Sequence, residues 1–157
     1  MLYKEHSFSS LSLRFIPQNW KISRLQSLST VRRVDDDEMV RRGVRHALAP
    51  IGWQVTEAEN GQVAVEALAT AQPDVIILDL MMPKMDGFEF LDKLRSRPDW
   101  QDIPVVVITA KDLTEEDRTR LNGGVEQIIQ KIDRDEMLRQ LTREISKCVK
   151  RQTAKGA

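Results

Sequence analysis

Carboxylates, a hydroxyl and an ammonium fall directly after aliphatic runs in this 157-residue sequence. Asp35-Asp36-Asp37-Glu38 follows Val34, Asp79 follows Val75-Ile76-Ile77-Leu78, Thr109 closes Val105-Val106-Val107-Ile108, and Lys131 follows Ile128-Ile129-Gln130. If these groups converge, the carboxylates repel one another and need a counter-ion. A hard divalent cation meets that need, and Mg2+ suits a site that offers one or two carboxylates, waters and a phosphate. Thr109 and Lys131 would then hydrogen-bond and neutralise the oxygens of that phosphate. Asp79, held rigidly by the strand before it, is the natural nucleophile for an in-line phosphoryl transfer that makes an aspartyl phosphate. Taken singly, each residue has a plainer role. The acidic run is an ordinary helix start favoured by the macrodipole, Asp79 a turn residue, Thr109 a strand end and Lys131 a surface lysine. Asp37 and Glu38 keep the plain role; the chemistry needs convergence.

The elements required for convergence are visible from Asp35 onward. Met39, Val40, Val44, Ala47, Leu48 and Ile51 recur at helical spacing over 38–51, with Gly52 as the stop. Trp53 to Ala58 alternates like a strand, and Asn60-Gly61 turns into an Ala-rich helix over 62–71. The strand Val75–Leu78 leads to a helix over 87–97 with Phe88, Phe90, Leu91 and Leu94 inward. After the strand from Val105, the pattern Thr114-Glu115-Glu116-Asp117 opens a short helix like a capping box. Gly123-Gly124 ends it, and a last strand covers 125–130. Asp133, with Glu136 three residues on, caps a final helix whose stripe includes Met137, Leu138, Leu141, Ile145, Cys148 and Val149. Strands alternating with helices predict an α/β fold, a doubly wound five-stranded parallel sheet of flavodoxin-like order 2-1-3-4-5. Its crevice lies at the carboxyl ends of strands 1 and 3.

Val34-Asp35-Asp36-Asp37, the stretch Asp79-Leu80-Met81-Met82-Pro83-Lys84-Met85-Asp86-Gly87, Thr109-Ala110 and Lys131 together resemble the receiver domain of two-component response regulators. The resemblance covers 34–149 and implies that Asp79 accepts phosphate from a sensor histidine kinase or a histidine phosphotransfer domain. It implies Asp36 as a direct Mg2+ ligand, Asp35 as its partner directly or through water, Asp79 itself, and the backbone carbonyl of Met81 as a further ligand. Thr109 resembles the family's switch hydroxyl and Lys131 its phosphate-pairing lysine. The implied output is a conformational change read by a downstream protein partner. The implied protein is an acceptor module and not an enzyme acting on a free substrate. Two other readings have distinct features. A degenerate receiver would be a phosphorylation-independent interaction module; a small-substrate hydrolase would want a second acid two residues after Asp79, where Met81 stands.

Three positions depart from the family pattern. Arg32-Arg33 occupy a strand that should be aliphatic, and interior arginines are expensive without partners, which predicts a short or frayed strand or a replaced domain start. Ile132 stands where proline usually follows the lysine, predicting a trans bond, and Ile128 replaces an aromatic switch residue. Output would then travel by shifts of loops and of the helix over 114–121.

Composition supports a globular module: 41% apolar, 31% charged, and 24 basic against 24 acidic residues, with a single cysteine, Cys148. A disulfide framework is excluded, and no aliphatic run approaches the ~18 residues of a membrane span. The balance gives no general pull towards nucleic acid or a membrane surface, and a cytoplasmic, reducing location is expected. The neutrality hides an asymmetry, +5 over residues 1–34 against −5 for the remainder. The expected organisation is a basic Ser-rich segment over 1–30, poorly ordered or transit-peptide-like, the domain over 31–150, and a polar tail over 151–157. His6, His46 and the Gly123-Gly124 pair carry no chemistry in this reading.

Overall fold

The computed structural model describes residues 30–155. The segment before Thr30, where the basic stretch was expected, lies outside the described residues. Five strands, β1 (Thr30–Val34), β2 (Gln54–Ala58), β3 (Val75–Leu78), β4 (Val105–Thr109) and β5 (Gln127–Gln130), form one parallel sheet in the order β2-β1-β3-β4-β5. The helices are α1 (Glu38–Leu48), α2 (Gly61–Thr70), α3 (Gly87–Ser96), α4 (Glu115–Leu121) and α5 (Arg134–Lys155).

β3 and β4 are aliphatic on both faces because both faces are covered, and every residue of the two is buried. On one side Val75, Ile77, Val106, Ile108 and Ile129 pack with Val44, Leu48, Met137, Leu141 and Ile145 of α1 and α5. On the other, Ile76, Leu78, Val105 and Val107 pack with residues of α2, α3 and α4, among them Ala64, Leu68, Phe90, Leu94 and Leu121. Cys148 is buried in the first cluster. At about 1.5–3 kcal/mol per fully buried aliphatic side chain, these two layers make the sheet a stiff platform for whatever projects from its edge.

The helix starts follow the capping residues. Asp37 accepts from the Met39 and Val40 N–H groups, Asn60 from Val63, and Asp133 from Glu136. Asp86 with Glu89, and Thr114 with Asp117, form full capping boxes. Each such cap is worth about 1 kcal/mol.

The outcome differs from the sequence pattern in three places. Met39 and Ile51, expected inward, are exposed, and Ala49–Ile51 is a separate 3-10 turn closed by Gly52 at φ 91°. β1 is a full five-residue strand paired on both sides, not a short or frayed one. Helix α5 continues to Lys155, into the stretch expected as a polar tail, since no glycine or proline interrupts it before Gly156.

Candidate functional site: an acidic pocket at the sheet edge

Parallel register brings the acids together. Val34 of β1 lies beside Leu78 of β3, so Asp35 and Asp79, the next residue of each, leave the sheet side by side. The ladders run on through them: the Asp79 N–H donates to the Val34 carbonyl at 2.9 Å and the Asp35 N–H to the Ala58 carbonyl at 3.1 Å. Thr109 ends β4, and the Lys131 N–H donates to its carbonyl at 2.9 Å. All four strand-end predictions therefore fall on one edge.

One carboxylate oxygen from each of Asp35, Asp36 and Asp79 lies within 4.8 Å of the others. Two oxygens facing each other across a small divalent ion stand roughly 4.2 Å apart, so these hard donors fit such an ion with little adjustment. Asp35 and Asp79 are buried, while Asp36 is exposed at the mouth. The Lys131 ammonium bridges the buried pair, 2.9 Å from Asp35 Oδ2 and 3.0 Å from Asp79 Oδ2. Asp35 Oδ1 accepts from the Asp37 N–H at 2.7 Å, and Asp79 Oδ1 from the Met81 N–H at 3.2 Å. Thr109 is fully buried on the same edge, one strand beyond Asp79, and its hydroxyl oxygen accepts from the Lys111 N–H at 3.1 Å.

The loop after Asp79 is pinned by close backbone approach. A Cβ on Gly87 would stand 2.4 Å from the Asp79 carbonyl oxygen and 2.7 Å from Leu80 Cα, so only glycine fits. Lys84 takes φ 67° and the Met85 N–H donates to the Pro83 carbonyl at 2.8 Å, a tight three-residue turn. Met85 is buried against Gly61 at the start of α2, and Met82 packs on the core. Met81, by contrast, is 58% exposed.

Residues 31–143 match the family model for the response regulator receiver domain. The chain belongs to that family. Among its relatives is response regulator MprA of Mycolicibacterium vanbaalenii, 39% identical over 98 residues, which cover 62% of this chain and 42% of MprA. The matched stretch is thus less than half of that relative. Among solved structures, the signal receiver domain of a signal transduction histidine kinase from Syntrophus aciditrophicus is 30% identical, with TM-score 0.65 over 75% of this chain and 90% of that one. The Mn2+-bound form of response regulator Rcp1 is 26% identical, with TM-score 0.65 over 71% of this chain and 88% of that one.

Two arginines of this receiver bear on the pocket, and the sequence pattern had marked neither as part of it. Arg33, read there only as a costly interior residue, is wholly buried and ion-pairs with Asp35 Oδ2, the same oxygen that Lys131 contacts. Burial pulls its pKa down to about 10 against the opposing pull of the Asp79 carboxylate, so it stays a cation at neutral pH. Arg41 donates to the Asp35 backbone carbonyl at 2.7 Å, anchoring α1 to the strand end. Arg32, on the other face of β1, reaches the Ala71 carbonyl at the end of α2, at 3.3 Å. No cis peptide bond occurs among the described residues, so the Lys131–Ile132 bond is trans, as the absence of proline predicts.

Proposed function

We propose that this receiver accepts a phosphoryl group on Asp79 from the phosphohistidine of a sensor kinase or a histidine phosphotransfer domain. The observation that carries the reading is the Asp79 carboxylate, paired with Lys131 and gathered with two further carboxylates at the mouth of one rigid sheet edge. An Asp79 oxygen attacks phosphorus in line, the P–O bond forms, and the P–N bond breaks to return the electron pair to the donor imidazole. Lys131 moves from pairing two carboxylates to pairing a phosphoryl oxygen, and the Thr109 hydroxyl can turn from the Lys111 N–H to donate to another. Asp36, Asp79 and the Met81 carbonyl, with Asp35 directly or through water, would hold Mg2+, which when bound offsets the charge gathering on the phosphoryl oxygens. That the related Rcp1 has a Mn2+-bound form supports a divalent cation here. The chain is on this reading an acceptor that turns over on itself in the cytoplasm, not an enzyme for free substrates.

A donor must cover the surface beside Asp79. Exposed Met39 and Ile132, 64% and 90% accessible, rim a cavity of about 220 Å3 that also includes Val40, Lys131 and Met137. Apolar surface in this position suits a docking protein. The output face is α4 with β5: α4 buries only Asp117 and Leu121, and a groove of about 540 Å3 runs between Arg118, Leu121 and Ile128.

Incubation with acetyl phosphate and Mg2+, followed by intact-mass measurement, should add one phosphate to the wild-type chain and none to Asp79→Asn. The second reading, an interaction module that works without phosphate, is favoured by Arg33, which neutralises part of the pocket without any bound ion. An unmodified wild-type mass would select it.

A further inference from the structure

We propose that Arg33 is a built-in counter-ion of the acidic pocket that competes with the divalent cation for Asp35 and weakens its binding. The inference deepens the phosphoacceptor reading and takes the role of the metal from it.

Side chains two apart on a strand share a face, so Arg33 lies behind Asp35, below the floor of the pocket. It is fully buried, with Nη2 on Asp35 Oδ2 while Nε and Nη1 have no hydrogen-bond partner among the described residues. Packing is a poor reason for such a residue. Its neighbours Ile77 in register on β3, and the aliphatic layer under α1 and α5, would accept an apolar side chain without orphaned donors. What the guanidinium contributes there is charge.

The balance of charges says what that does. Asp35, Asp36 and Asp79 bring three negative charges and Lys131 one positive, leaving −2, the match for a divalent ion. Arg33 lowers the remainder to −1. It also occupies the ligand: Asp35 Oδ2 takes both cationic side chains, and Oδ1 takes the Asp37 N–H. Asp36 and Asp79 are left as the freer carboxylates. An ion that recruits Asp35 must displace or outbid Arg33. Arg33 is therefore a positioning residue that acts on the metal through Asp35.

The test is Mg2+ binding to the full chain by titration calorimetry, with Mn2+ binding by electron paramagnetic resonance as a second probe. Arg33→Met keeps the bulk and removes the charge, and should bind Mg2+ at least about tenfold more tightly, given the strength of charge interactions at partly buried sites. Arg33→Lys keeps the charge and should stay within about threefold of wild type on the same physical ground. Equal affinity in wild type and Arg33→Met would overturn the proposal, as would an equal gain in Arg33→Lys. In the unaltered chain, 15N-arginine resonances of the Arg33 guanidinium should shift on Mg2+ addition; resonances that stay still also refute it. None of these readings involves phosphate. Tightened Mg2+ binding with no phosphorylation of Asp79 would spare this inference and sink the acceptor reading, and the opposite pair of results would do the reverse.

Discussion

Replacing Lys131 by methionine isolates the contact on which the pocket depends most. The change keeps an unbranched chain and removes an ammonium lying 2.9 and 3.0 Å from two buried carboxylates. Asp35 would retain Arg33 and the Asp37 N–H, whereas Asp79 would keep only the Met81 N–H. Breaking a buried pair by deleting one partner costs about 3–5 kcal/mol, and a single charge-assisted hydrogen bond about 1.5–3 kcal/mol. Arg33 shields Asp35, so most of the loss falls on Asp79, and the expected destabilisation is about 3 kcal/mol. In an Asp79→Asn background the same substitution should cost about 1.5 kcal/mol, because a neutral amide needs no cation. The difference is the coupling energy of Lys131 with Asp79. Urea unfolding at pH 7 in the presence of a chelator gives all four corners of this cycle. A cost below about 0.5 kcal/mol, the size of an ordinary surface substitution, or a cycle that closes without coupling, would refute the view that Lys131 holds Asp79.

Two other outcomes can be checked directly. Gly87→Ala places a methyl 2.4 Å from the Asp79 carbonyl oxygen, so the loop must move; acetyl phosphate labelling should slow at least about tenfold and stability fall by about 2 kcal/mol or more, within the range for overpacking against backbone, and unaltered labelling would show the loop to be compliant. The Lys111 ammonium, followed by the Thr114 N–H, holds the Asp117 carboxyl below its ordinary range, so its contribution to α4 is complete above the unfolded value near 3.9 and fades as pH falls through the lower folded one; NMR titration should place the Asp117 midpoint below about 3.9, with the Asp117 amide exchanging faster only at more acid pH, and a midpoint at or above that value contradicts the assignment.

Much of this was legible from sequence because the relevant physics is local. The runs Val75–Leu78 and Val105–Ile108 are buried on both faces, and short aliphatic, Val/Ile-rich runs preceded by prolines read as covered parallel strands. Thr114 to Asp117 and Asp133 to Glu136 could be read as helix starts because caps are short-range. Once the strands were placed, right-handed crossovers left few arrangements, the doubly wound order led among them, and that order decides which acids meet. The arginines were not legible for the opposite reason. Arg95 donates to the carbonyls of Gln101, Ile103 and Gly124, tying α3 to the loop before β5. Long flexible side chains choose partners that no spacing rule encodes. For Arg32 and Arg33 an interior arginine's need for a partner could be read from sequence, but not the partner itself, which is one helix-end carbonyl for Arg32 and one carboxylate for Arg33. Met39 shows a subtler failure: its helical periodicity is right, but periodicity does not say which turns of the stripe find a covering neighbour.

That Arg33 and Lys131 share the Asp35 carboxylate bears on how the proposed reaction would run. At rest the pocket carries three carboxylates against two tethered cations, a remainder of −1. An aspartyl phosphate carries close to two negative charges where Asp79 carried one, so the transfer itself returns the remainder to about −2. The call for a divalent ion would then be greatest once the phosphoryl group has arrived, and smallest before. A receiver without an interior arginine starts from −2 and has reason to bind its metal first. In this chain a fixed cation already covers part of that charge, so metal binding and phosphorylation should be more tightly coupled: phosphorylation ought to raise Mg2+ affinity, and by linkage Mg2+ ought to favour the phosphorylated state at equilibrium by the same factor.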